Sequence, residues 1–174
     1  MCNYTEIFQE VLARYGNHVK WDDGAFHKIK VVSNTNVGSV GQDFIERLCG
    51  ELGLQCEFPT TKKGKRATHS PWDVKIEGLE MELKTASEDV NGSFQFNHLR
   101  YHRTYDAVLC LGVAPDALYF GCWSKAEIAT GKAGRLVTME KAANASYKLT
   151  KTAAHLHPIA EFGEIIRAFV VLPH

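Results

Sequence analysis

Between Tyr105 and Val113 the chain reads Tyr-Asp-Ala-Val-Leu-Cys-Leu-Gly-Val, almost continuously apolar and without alternation. A run of this length bounded by turn residues predicts a β-strand buried on both faces. Such a strand belongs inside a sheet that is covered on each side. Pro115-Asp116 then marks a turn, Ala117–Trp123 a second strand, and Ser124 a cap for a short helix through Ala129. With 174 residues, 45% of them hydrophobic, one domain over 1–174 can enclose a real core.

Helical spacing supplies the covering layers. Ile7, Phe8, Val11, Leu12 and Tyr15 lie on one face of a helix over residues 5–15, with Gly16 as its stop. A second helix is predicted from Ser39, as N-cap, to Leu52, with Val40, Phe44, Ile45, Leu48, Cys49 and Leu52 on its apolar face and Gly53 ending it. Residues 22–38 read as a loop with one extended piece near Ile29–Val32, and Leu54–Phe58 as a short strand. Phe94–Tyr101 reads as a helix, residues 130–157 as irregular, and Phe162–Val170 as a terminal strand or helix. Helices packed on a central mixed sheet give an α/β fold.

Several classes are excluded or disfavoured. No stretch of about 20 apolar residues could span a bilayer. The amino terminus lacks the basic and then apolar run of a secretory signal, so a cytoplasmic location is expected. The five cysteines are scattered without a CxxC pair and are expected to be reduced and structural. Twenty basic residues balance twenty acidic ones, so charge alone does not tie the chain to a polyanion. Locally, however, Lys62, Lys63, Lys65 and Arg66 fall within five residues.

The chemistry-bearing pattern follows that basic run. Asp73–Glu77 alternates, Gly78 makes a turn, and Leu79–Lys84 alternates again, which predicts a hairpin. Leu79, Met81 and Leu83 share one face; Glu80, Glu82 and Lys84 share the other. Asp73, at the start of the first strand, is placed to reach Glu82. Two hard carboxylates suit Mg²⁺, and the Leu83 carbonyl is a candidate third oxygen. Hydrolysis of a phosphodiester needs an activated water and relief of charge on phosphorus, both of which such a cation supplies. Lys84 could orient the nucleophile, help deprotonate it, or offset transition-state charge.

Pro71-Trp72-Asp73, eight further residues, and Glu82-Leu83-Lys84 together resemble the PD-(D/E)xK nuclease superfamily, which includes most type II restriction endonucleases. The resemblance extends over about residues 39–128. The helix beginning near Gly41 resembles the one that precedes the motif in that family, and Glu46 would be its additional acidic residue. Gln95 resembles the polar residue that some members place near the site from the next helix. The resemblance implies a restriction-endonuclease-like core, a Mg²⁺ cofactor, double-stranded DNA as substrate and a homodimer of the type II restriction kind. A repair or recombination nuclease of the same superfamily, or an inactive DNA-binding module, is the alternative.

The remaining polar residues divide between DNA contact and ordinary surface. Lys62, Lys63, Lys65 and Arg66, adjacent to Asp73, are expected to meet the phosphate backbone. Asn91, Asn97, Arg100 and Arg103 are possible readers of base edges. His98 and His102, four apart on the expected helix, read as a basic rim in preference to a metal pair. His69, His155 and His157 read as loop residues.

Overall fold

The computed structural model describes residues 3–14, 24–67 and 70–172, so the expected stop at Gly16 and the residues Cys2 and His69 lie outside it. In order, the elements are α1 (Tyr4–Leu12), α2 (Asn34–Leu52), β1 (Cys56–Glu57), β2 (Val74–Ile76), β3 (Leu79–Ser87), β4 (Ser93–Leu99), β5 (Ala107–Val113), β6 (Leu118–Ser124), α3 (Lys125–Ala129), β7 (Leu136–Glu140), β8 (Ser146–Thr152), β9 (His157–Pro158) and α4 (Phe162–Val170). Six strands form a central sheet in the order β1-β2-β3-β5-β6-β9, with β4, β8 and β7 in a separate three-stranded sheet. Only β3 and β5 run parallel among the neighbours of the central sheet, so it is mixed.

Every residue of β5 is buried, as its sequence requires. Ala107, Leu109, Leu111 and Val113 enter a core with α1, α2 and α4, while Val108 and Cys110 enter a second core beneath β4, β8 and α3. The predicted hairpin forms: β2 pairs antiparallel with β3, Val74 opposite Met81 and Ile76 opposite Leu79. Glu77 (φ 50°) and Gly78 (φ 86°) both take the left-handed conformation, as a tight two-residue turn between twisted strands demands. Ser124 caps α3 within a capping box completed by Glu127.

Four expectations are corrected. Ser33 rather than Ser39 caps α2, its Oγ accepting the Asn36 N–H at 3.4 Å. The helix therefore starts within the segment read as loop, and the extended piece near Ile29 is a 3₁₀ turn, His27–Val31. Phe94–Leu99 is strand, not helix: Phe94 and Phe96 are buried while Gln95 and Asn97 face out. Phe96 and Leu99, three apart, fit helical spacing equally well. The outcome was decided by β8, which pairs with β4 from some fifty residues away in the chain. The supposedly irregular region supplies β7 and β8.

Helix α2 lies close against β3, and Gly41 makes the approach possible. A Cβ built on Gly41 would stand 1.8 Å from Thr85 Oγ1 and 3.0 Å from its Cβ. Both residues are packed, so an added methyl must shift the helix or the strand. We expect Gly41→Ala to lower unfolding free energy by roughly 1–3 kcal/mol in urea titrations. Adding Thr85→Ala should recover part of that loss; equal stability of Gly41→Ala and the parent would refute the contact.

Candidate active site

The strand β2 ends at Val74, so β3 beyond Met81 has lost its neighbour on that edge. Asp73 substitutes for the missing ladder: its Oδ2 accepts the Leu83 N–H at 3.1 Å, and its own N–H donates to the Met81 carbonyl at 2.9 Å. Because the N–H and C=O of a strand residue point to the same edge, the Leu83 carbonyl faces that open side too.

Glu82 and Lys84, two apart on β3, emerge from the same face, as their spacing predicted. Lys84 Nζ lies 2.7 Å from Glu82 Oε1 and 3.9 Å from Asp73 Oδ2. One ammonium thus bridges two carboxylates. Glu82 is fully buried. Its Oε1 also accepts the Arg100 N–H at 3.3 Å, while its Oε2 has no hydrogen-bond partner among the described residues. The phenol of Tyr105, buried nearby and equally unpartnered, feels the Glu82 charge; burial first and that charge second push its pKa upward.

Burial also raises the pKa of Asp73 above the usual carboxylate value. Lys84 opposes that shift, Glu82 adds to it, and Arg103, whose guanidinium lies 3.9 Å from Asp73 Oδ1, opposes it. Of the trio, Lys84 lines a polar cavity of about 510 Å³, together with Leu83, Gln95, Asn97, His98, Lys30 and Asn34, and Asp73 and Glu82 are joined to that cavity through Lys84. Lys30 and Asn34 carried no sequence signal, since their approach depends on how α2 packs. The sequence marks Tyr105 only as the first residue of an apolar run, although its hydroxyl is a polar group at that end.

The other predicted site residues divide. Asn97 and His98 line the cavity from β4 rather than from a helix. Gln95 does so as well, but its amide donates to Asp89 at 3.1 Å. That carboxylate also caps the β3–β4 turn, accepting from the N–H groups of Asn91 and Ser93. Arg100 contributes its backbone to Glu82, and Arg103 turns inward to Asp73. Glu46 is not brought to the trio: Arg66 takes it at 2.5 Å and takes Asp43 at the same distance. Arg66 is accordingly neutralised, whereas Lys62, Lys63 and Lys65 are exposed on the β1–β2 loop.

With β4 a strand, the helical pairing of His98 with His102 disappears. His98 adopts φ 57° at a bulge, and its Nδ1 lies 3.4 Å from Ser146 Oγ and 3.5 Å from Glu140 Oε2. His155 and His157 make local contacts with Thr152 and Glu161. Among the described residues no three His, Cys, Asp or Glu side chains converge as a metal centre. A cation site here would have to rest on two carboxylates and further oxygens. The donor set fits Mg²⁺ in that form, since Mg²⁺ takes one or two carboxylates and retains waters, and Glu82 Oε2 is a buried anionic oxygen lacking a partner.

No family model matches the sequence, and no curated protein matches it. Among solved structures, it is similar to a bacterial homing endonuclease, I-Ssp6803I, with a TM-score of 0.46 and 11% identity over 82% of this chain and 99% of that one. No helix among the described residues is long and apolar enough to cross a membrane.

The raised pKa of Asp73 fixes the sign of a pH effect. Its folded-state value exceeds the unfolded one, so the folded protein binds the extra proton and is destabilised as pH rises through that window. Without divalent cations, Asp73→Asn should therefore gain stability relative to the parent between pH 4 and pH 7 in urea titrations. A difference that stays constant with pH would contradict the burial of this carboxylate.

Proposed function

We propose that this chain is a Mg²⁺-dependent endonuclease that hydrolyses phosphodiester bonds in double-stranded DNA. The supporting observation is the convergence of Asp73 and Glu82 on Lys84, whose side chain lines an open polar cavity. A purely structural role explains it poorly. Burying a carboxylate costs several kcal/mol, and leaving one of its oxygens unpaired forfeits much of the compensation.

Asp73, Glu82 and the Leu83 carbonyl would hold Mg²⁺, which when bound supplies a water of lowered pKa and charge relief at the phosphoryl oxygens. Lys84 sets the remaining electrostatics. Its ammonium keeps the two carboxylates together before substrate arrives, and it stands where an attacking water and a scissile phosphate would meet it. There it orients the nucleophile and offsets charge that grows toward the transition state. Arg103 holds Asp73 from the opposite side, and the Arg100 N–H fixes the Glu82 rotamer, so neither carboxylate needs to reorganise.

Within that activity, a type II restriction endonuclease is the reading we favour, with repair or recombination cleavage as the nearest alternative in the same superfamily. One chain carries one such trio, and two strands of opposite polarity present two scissile bonds. A homodimer with two-fold symmetry is the economical way to cut both.

Plasmid DNA incubated with the protein and Mg²⁺ should be nicked and linearised, and EDTA should stop it. Glu82→Gln and Lys84→Met should each lower the cleavage rate at least about 10³-fold, equivalent to roughly 4 kcal/mol of barrier. Thermal-shift titration with Mg²⁺ separates the two roles: Glu82→Gln should lose the stabilisation and Lys84→Met should retain it. Undiminished cleavage by Glu82→Gln would eliminate this site.

A second prediction concerns pH. Protons compete with the cation for Asp73, whose pKa is raised, so apparent Mg²⁺ affinity should fall as pH is lowered toward that value. Isothermal titration between pH 5 and pH 8 tests it, and pH-independent affinity would count against Asp73 as a ligand.

A further inference from the structure

The small sheet β4-β8-β7 presents two different faces. Phe94, Phe96 and Leu149 point into the second core, with Leu136 packed against it. The opposite face is solvent-facing, and cross-strand register places Gln95 beside Thr150 and Lys148 beside Val137 on it. Strand β7 projects furthest: Val137, Thr138, Met139 and Glu140 are all exposed.

Charge is concentrated on this element. From Lys132 to Lys151 there are five cations and one acid, in a chain whose charges balance overall; Lys132 is paired with Glu127 at 2.5 Å and Lys151 lies over the Trp123 ring, which leaves Arg135, Lys141 and Lys148. That acid, Glu140, is engaged by Ser146 Oγ at 2.7 Å and by His98. Arg135 and Lys141, at the two ends of β7, are exposed, and with Lys148 they form no ion pair among the described residues. This contrasts with the first basic run, where Arg66 is consumed by two carboxylates. The face is also continuous with the cavity, because Gln95 and Asn97 belong to both.

We infer that the β7–β8 ribbon is a docking surface for duplex DNA, lying in the major groove and directing the backbone into the cavity beside Lys84. The inference rests on the nuclease reading for its substrate class. β7 and β8, the edge and central strands of the three-stranded sheet, have the breadth that this roughly 12 Å groove admits, with β4 on the cavity side of β8. Arg135, Lys141 and Lys148 meet phosphates along its walls, while exposed Val137 and Met139 provide apolar contact of the kind that thymine methyl groups accept. A second copy of the chain is the competing occupant, since β7 is an edge strand. Like charge on the two ribbons opposes that pairing.

The test is equilibrium binding of the full chain to a 30-base-pair duplex by fluorescence anisotropy in EDTA, where nothing is cut. Arg135→Ala/Lys148→Ala, checked by circular dichroism for an unchanged fold, should weaken binding at least tenfold at 0.1 M salt. It should also reduce the slope of log affinity against log salt by about 1.8, the loss of two phosphate contacts. Methyl green, a major-groove ligand, should displace the protein and distamycin, a minor-groove ligand, should not. Unchanged affinity and slope, displacement by distamycin, absence of duplex binding by the parent, or a dimer in sedimentation that the double substitution dissolves would each overturn the inference. Ribbon-dependent binding with no Mg²⁺-dependent cleavage would leave the ribbon in place and refute the nuclease reading instead.

Discussion

The buried charge of Glu82 and its pairing with Lys84 at 2.7 Å organise the structure around β3. A carboxylate with no solvent exposure must be compensated locally, and the compensation comes from two separate places. Lys84 is supplied by the same strand and the Arg100 N–H by the segment after β4. Since one carboxylate oxygen is still unpaired, the arrangement does not minimise free energy for the apo chain. The cost of holding such a cluster supports the proposal that it is a binding or reacting centre.

The geometry of the sheet explains how Lys84 reaches a cavity while Glu82 stays buried. Strand β3 is nine residues long and β2 is three, so the second half of β3 runs on without a partner on one edge. Edge strands invite unwanted pairing, and here the edge is occupied by the Asp73 carboxylate and bounded by the start of α2 and by β4. The same loss of pairing that would weaken a sheet opens the cavity beside Lys84. Gly41 lets α2 come close enough to wall it from behind.

The hairpin was legible because its information is local: alternation, a Gly at the turn and the two-residue period of Glu82 and Lys84. β5 was legible because the seven apolar residues Ala107–Val113 state their own burial. Phe94–Leu99 was misread because Phe-Gln-Phe-Asn-His-Leu satisfies both periods over so short a length, and its partner β8 is remote in the chain. Glu46 and Arg66 were both placed at the site by sequence, and they instead satisfy each other. Two opposite charges within reach, one on a helix flank and one on a loop, pair wherever packing brings them together, and sequence spacing carries no record of that.

The sequence by itself determined a covered sheet, an amphipathic α2, and a strand with Glu82 and Lys84 on one face, because burial pattern and side-chain period are properties of consecutive residues. Tertiary structure decided which cations remain available, where the cavity opens, and that residues 136–152 form a ribbon beside it. These depend on contacts between segments tens of residues apart, and such contacts are fixed by the packing of whole layers rather than by any local preference of the chain.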